Sequence, residues 1–278
     1  MDIWGGLGDV VLATPVFERL KNKSPRSRII ALSNSKDRLE VLRHNPYIDK
    51  LTSFSYYHRL LKFLGIISIQ DIRYGFLKPS LSYTKKASEI IAGMLGVTLK
   101  DKTAQIYLTE EEEEKAVRKL SDFKHPVIIQ ITSRTTENQM WPIASWNELV
   151  RELPDYTFLQ LGAKDEEKVE GAVDMRGNTN IRESLALMKH AKGFVGVVSF
   201  LSHVTNAFDK PGVVFFGVSS VAIWGHDNNI NISKDLPCSP CVDVLGRSKC
   251  PYGKECMRLI SVNEVRKAIY EQMPLNIH

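Results

Sequence analysis

Apolar and polar residues recur along the chain as a short buried run, a turn, and a stretch of helical spacing. The clearest example is residues 174–217. Within 181–192, Leu185, Ala186 and Met188 or Ala191 have the spacing of one helical face. Residues 194–198 form a short apolar run bounded by glycine, which predicts a buried strand. Helical spacing returns over 201–208, Asp209-Lys210-Pro211-Gly212 predicts a turn, and 213–216 predicts a second buried strand. Strand, short helix and strand at this spacing make a parallel α/β unit. Ligands in such sheets sit beyond the carboxyl ends of the strands. Ser199, Ser202 and His203 fall there, at a strand end and in the first turn of the next helix. The free N–H groups and positive dipole end of a helix start suit a diphosphate.

The same rhythm extends to both sides. Asp2-Ile3-Trp4 reads as a short first strand, and 10–20 as a helix with Pro15 near its start. Between them lies Gly5-Gly6-Leu7-Gly8-Asp9, a glycine-rich turn that lets another molecule approach the backbone. It is not G-x-G-x-x-G, so the dinucleotide fingerprint is absent. Asp9 sits where a helix start stabilises a carboxylate, and capping alone accounts for an aspartate there. Strands are predicted over 28–33 and 48–54, with helices over 37–43, 56–67 and 82–95. The 56–67 helix is basic and aromatic and carries His58, Arg59 and Lys62. A short strand over 106–108 precedes the five carboxylates Glu110 to Glu114, read as a solvated helix start capped by Thr109. A second series begins with a strand over 125–132, a helix to Leu153 and a strand over 156–162. The pattern therefore predicts a first lobe over 1–108, a connecting helix over 109–124 and a second lobe over 125–278. The cleft between lobes is where small-molecule chemistry is expected.

Composition narrows the class. The chain has 278 residues and is 43% hydrophobic, enough for a real core. No run of about 18 apolar residues exists, so no membrane span is expected. The start MDIWGGLGDVV lacks the basic and apolar regions of a signal peptide, which points to the cytoplasm. The net charge of +5 is uneven: residues 1–105 hold 17 Lys and Arg against 9 Asp and Glu. A basic first half suits an anionic partner, such as a glycolipid core, a protein or a nucleic acid; ordinary surface chemistry is the plain alternative.

GGLGDVVLATPVFERLK resembles the opening of the ADP-heptose:lipopolysaccharide heptosyltransferases, glycosyltransferase family 9. WPIASWNELVREL, DMRGNTNIRESLALMKHAKGFVGV and LSHVTNAFDKPGVVFFG follow in that family's order, so the likeness covers nearly the whole chain. The resemblance implies a GT-B fold of two Rossmann-like lobes, with acceptor held by the first and nucleotide-sugar by the second. It implies inverting transfer without a catalytic metal. A base must take the acceptor hydroxyl's proton, and positive groups must hold the leaving diphosphate. Asp9 matches the family's catalytic GxGD aspartate, and Gly6 and Gly8 its acceptor turn. Thr132, Ser133 and Arg134 match the hydroxyls and cation near the donor phosphates. His203 matches the histidine of D-[ST]-G-x-x-H, beside Ser199 and Ser202. Arg59 and Lys62 are the expected acceptor contacts in the basic lobe.

Three departures stand out. The family's aspartate before the histidine is Val198, and its glycine is Phe200. Its usual lysine before Trp-Pro is Gln139, expected to keep a place near the donor while Arg134 supplies the charge. The first lobe is short, with Met1 cutting into its first strand. These changes point to an altered donor or to a lobe that has lost catalysis.

Cys238, Cys241, Cys250 and Cys256 are the only cysteines and fall as C-x2-C-x8-C-x5-C in a Pro- and Gly-rich loop. Four thiolates so spaced suit a structural zinc or iron ion, since four protein ligands leave no position for substrate. The alternatives are two disulfides, disfavoured without export, and four free thiols. The resemblance to cysteine-finger autotransporter heptosyltransferases adds iron and a homo-oligomer as expectations. Two other functions stay open: transfer to modified DNA bases by the same fold, and a non-catalytic binding or assembly subunit.

Overall fold

The computed structural model describes residues 1–3, 5–65, 71–72, 84–241 and 249–275. Two separate parallel sheets organise it. The first contains β1 (Asp2–Ile3), β2 (Ile30–Leu32), β3 (Lys50–Thr52) and β4 (Asp71–Ile72) in the order β3-β2-β1-β4. Helices α1 (Leu7–Lys23), α2 (Lys36–Leu42), α3 (Tyr56–Phe63) and α4 (Ala87–Met94) accompany it. Then α5 (Glu110–Leu120) leads to β5 (Pro126–Gln130), α6 (Ile143–Glu152), β6 (Thr157–Gln160) and β7 (Val173–Asp174). α7 (Ile181–His190), β8 (Gly193–Val197), α8 (Phe200–Ala207) and β9 (Gly212–Phe216) follow. α9 (Val221–Trp224), β10 (Asn229–Ser233), α10 (Glu255–Arg258) and α11 (Val262–Gln272) complete the chain. The second sheet runs β10-β9-β8-β5-β6-β7, parallel throughout.

The continuous apolar strands are explained by burial on both faces. In β8, Phe194 faces one core, while Val195 and Val197 face the other. β9 repeats this, with Val214 and Phe216 on one side and Val213 and Phe215 on the other. One core lies under α6 and α11, where the fully buried Trp146 meets Trp141 and Phe215 at ring distances of 5.2 and 5.4 Å. The other core runs without interruption from the first sheet to the second and includes Val10, Val16 and Phe17 together with Leu201 and Val204. Helices α1 and α8 pack directly on one another, as do α5 and α7. Each fully buried aliphatic side chain in this seam contributes roughly 1.5–3 kcal/mol.

The sequence pattern places most of these elements, and the differences have local causes. α1 begins a turn earlier than residue 10, because Gly6 rather than Asp9 is its cap residue. Residues 106–108, expected as a strand, form none. Just before them, the Ala104 amide donates to Asn206 Oδ1 and the Gln105 amide to Thr14 Oγ1, so side chains rather than a neighbouring strand take up this backbone. Trp4, the end of the 56–67 helix and the start of the 82–95 helix lie outside the described residues. Elements β7, α9, β10, α10 and α11 carry too few periodic positions, or too mixed a pattern, to be read in advance. Among the described residues no helix is long and apolar enough to cross a membrane.

Candidate functional site

The glycine turn is built around the carboxylate of Asp9. Asp9 stands in the first turn of α1 and accepts the Gly6 amide at 2.6 Å through Oδ2. Gly5 adopts a φ of +90°, and a side chain there would collide with that same carboxylate. Burial pushes the Asp9 carboxyl up to about 6, partly offset by the Gly6 hydrogen bond and the positive charge of Arg38. A carboxylate with that value near neutral pH is a workable general base.

Across the seam stands His203, buried in the first half of α8. Its ring packs against Gly8: a methyl on Gly8 would lie 2.8 Å from Cδ2 and 3.4 Å from Nε2. The expected cleft is therefore closed at this corner, and the lobes touch at the turn and the imidazole. On its other side, His203 Nδ1 is 3.0 Å from Nε2 of His226, which is also buried. Burial and the neighbouring His226 hold the His203 ring well below the ordinary histidine value. His226 is pushed down to about 4, chiefly by burial and then by Lys86. Lys86, at the start of α4, donates to the Gly225 carbonyl at 2.8 Å, tying the first lobe to the second.

The carboxyl ends of β5, β8 and β9 converge beside this pair. Ser199 caps α8, and its hydroxyl donates to Gln130 Oε1 at 2.6 Å. The same Gln130 oxygen accepts the Leu201 amide at 3.3 Å. Ser202 turns back on Ser199, donating to its carbonyl at 2.7 Å and accepting its amide at 3.0 Å. Gln139 bridges two strand ends. It is buried, its amide nitrogen donates to the Val198 carbonyl at 2.9 Å, and its oxygen accepts from Ser219 at 3.2 Å. Both ends of the Gln139 amide, expected near the donor, are taken up in a strut between the ends of β8 and β9. Thr132 and Ser133 follow β5, half-buried, and Arg134 next to them is exposed. Arg59 and Lys62 are exposed on α3, with Arg59 over the Phe54 ring at 5.5 Å.

All four cysteines are thiols. Cys256 is buried, and with Met257 it packs beneath Gly217 at the end of β9. The Cys256 thiol is pushed up to about 11 by burial, then by Cys241, Cys238 and Cys250. Cys241 is raised by burial and by Cys250 and Cys238. Four soft donors therefore sit within one another's field, a donor set that suits zinc or iron. Among the described residues no group of three His, Cys, Asp or Glu side chains is already disposed to hold a metal.

Gln130, His226, Lys86 and Arg38 were missed in the sequence. His226 carried a usable signal, as a second histidine past the next strand end. The others sit at positions that only the fold brings together. A cavity of about 500 Å³ lies elsewhere, between α2, α5 and α7. Its buried cation, Arg182, is engaged by Glu112 and by two backbone carbonyls.

Comparison with known proteins bears on this geometry. The sequence profile described as glycosyltransferase family 9 (heptosyltransferase) matches residues 71–251. Lipopolysaccharide heptosyltransferase 1 of Salmonella typhimurium is 30% identical over 111 residues, 36% of this chain and 35% of that protein. The matched stretch thus spans about a third of that curated relative. The family 9 glycosyltransferase of Veillonella parvula superposes with a TM-score of 0.72 at 17% identity, covering 98% of this chain and 95% of the other. For E. coli ADP-heptose lipopolysaccharide heptosyltransferase II the figures are 0.74, 14%, 98% and 97%. For the iron-containing dodecameric glycosyltransferase TibC of enterotoxigenic E. coli they are 0.71, 19%, 98% and 74%. At these identities the structural likeness establishes the fold, GT-B.

Proposed function

Since the chain belongs to glycosyltransferase family 9, the heptosyltransferase family, we propose that it transfers a sugar from a nucleotide-diphosphate sugar to an anionic acceptor. Residues 1–108 form the acceptor lobe, 109–124 the connection and 125–278 the donor lobe. The observation that carries this reading is the half-buried Asp9 carboxylate, raised to about 6 and set one residue from Gly8, against which His203 packs. Asp9 takes the proton of the acceptor hydroxyl as its oxygen attacks the anomeric carbon. The bond from that carbon to the diphosphate oxygen breaks from the opposite face, so the configuration inverts. The leaving diphosphate takes the electron pair and is met by His203, Arg134 and the start of α8 around Ser199, with Thr132 and Ser133 alongside. Donor entry parts Gly8 from His203 and draws Gln130 off the α8 terminus. Gly6 and Gly8 shape the acceptor side, and Arg59 and Lys62 supply its charge.

Relatives determined with ADP-heptose, including TibC, support a nucleotide-sugar donor. TibC is described as iron-containing and dodecameric. For this chain, Cys238, Cys241, Cys250 and Cys256 would hold a zinc or iron ion. It would supply a cross-link beside the end of β9 and take no part in transfer. Self-association is part of the same reading.

The test is Asp9→Ala, which abolishes transfer and leaves donor binding intact. Undiminished turnover removes Asp9 from the mechanism. One observation favours a non-catalytic member instead: Gln130 already occupies the α8 terminus that a diphosphate would use. A thermal-shift screen of nucleotide-sugars separates the two, because a ligand of the folded state alone raises the midpoint.

A further inference from the structure

The buried imidazole pair does more than fill space. His203 and His226 meet edge to face, with ring centroids 5.2 Å apart and planes at 79°. Each neutral imidazole has one N–H and one lone pair, so one ring must donate across the 3.0 Å contact and the other must accept. Which ring donates decides what His203 presents on its far edge. That edge carries Nε2 and faces the Gly8 turn. If His203 donates through Nδ1, Nε2 is a bare lone pair and repels a phosphate oxygen. If His226 donates through Nε2, His203 keeps its proton on its own Nε2 and offers an N–H to the anion.

We propose that His226 is a positioning residue that donates its Nε2–H to His203 Nδ1 and so holds His203 in the Nε2–H tautomer that hydrogen-bonds the donor's leaving diphosphate. Lys86 supports this direction. Its ammonium is fixed on the carbonyl of the preceding residue, Gly225. The ring lies in the field of that cation, which favours a bare nitrogen over a second proton, and Nε2 is the nitrogen engaged by His203; the opposing Asp227 carboxylate, 3.6 Å from the same ammonium, is fully exposed and weakly felt. The main chain of His226 is held in turn, since its carbonyl accepts from Asn231 at 3.0 Å. Trp224, 6.2 Å from the His203 ring, closes the remaining side. The role rests on His203 contacting the diphosphate, but the tautomer itself can be read without turnover.

The experiment is nitrogen-15 NMR of the histidine-labelled 278-residue chain, paired with transfer kinetics. Wild type should show His203 protonated at Nε2 and bare at Nδ1. His226→Leu should lose that preference, with kcat falling on the order of tenfold to a hundredfold, the usual effect of removing an orienting partner. His226→Gln, whose side-chain amide can still donate, should restore the tautomer and most of kcat. His226→Glu keeps a polar side chain but only accepts when ionised, and it should drive His203 to the Nδ1–H form, even if the leucine variant fails to fold. A wild-type His203 protonated at Nδ1, or an unchanged tautomer in both His226→Leu and His226→Glu, overturns the proposal. If the tautomer behaves as stated but no nucleotide-sugar binds, the diphosphate role fails and the positioning of His203 stands.

Discussion

Gly8 of the glycine turn lies so close to His203 of the second lobe that a methyl on it would stand 2.8 Å from the ring's Cδ2 and 3.8 Å from the Phe200 backbone. The two lobes therefore touch through the smallest residue of one and the buried imidazole of the other. Closure here is a contact between the groups assigned to chemistry, not only a helix packing.

Gly8→Ala tests that contact. The added methyl must displace the ring or part the lobes, and overpacking of this kind costs about 1–3 kcal/mol. A lower midpoint by several degrees is expected in thermal unfolding, together with reduced turnover. Combining it with His203→Ala should cost less than the sum of the single changes, because the second change removes the obstacle.

Activity should follow the protonation of Asp9. With its carboxyl raised to about 6, the base is ionised only above that value. The kcat/KM profile should therefore rise with pH through an apparent value near 6. Asp9→Asn should show no such limb and negligible transfer. A wild-type profile flat from pH 5 to 8 would place the base elsewhere.

Stability against pH has two opposing parts. The histidine pair is depressed in the folded state, so the unfolded chain binds protons first as pH falls below 6.5. Stability is lost on that descent, down to about 4 for His226. Asp9 is raised, so its contribution is present at low pH and is lost as pH climbs through about 6. Two histidines outweigh one aspartate, and net stability should fall on acidification. His226→Leu should flatten the fall and Asp9→Asn steepen it, as read by denaturant unfolding between pH 4 and 7.

Arg182 ties three segments together. It is nearly buried, meets Glu112 at 2.6 and 2.8 Å, and donates to the carbonyls of Tyr107 and Glu40. The guanidinium holds the Glu112 carboxyl down at about 2. Arg182→Ala removes the counter-charge of a half-buried carboxylate and the donor to the Tyr107 carbonyl, leaving Glu112 and the Glu40 carbonyl with only the backbone amides of Thr109 and Arg43. About 3 kcal/mol of stability should be lost, close to ten degrees in Tm, with little change in the transfer step itself.

The cysteine cluster is checked by elemental analysis of the purified chain. Zinc or iron is expected at one ion per chain, lost in Cys241→Ser. Chelation should lower the thermal midpoint without abolishing nucleotide-sugar binding. A metal-free, equally stable wild type would leave four free thiols.

Hydrophobic period and glycine punctuation were enough to mark the strands β5, β6, β8 and β9, because a strand buried on both faces must be apolar throughout. They also marked α7 and α8, whose apolar faces repeat at helical spacing, and the turn before α1. The places of Asp9 and His203 in the fold were legible because each sits at a fixed point on such an element, at a helix start or just past a strand end. The closing of the two lobes on each other was decided only in three dimensions. So were the partnership of His226 with His203, the diversion of Gln139 into a strut and the capture of the α8 terminus by Gln130. Each of these joins side chains from separate segments, such as positions 8 and 203 or 130 and 199. No local pattern records a contact whose partners the chain brings together only when both sheets have formed and packed.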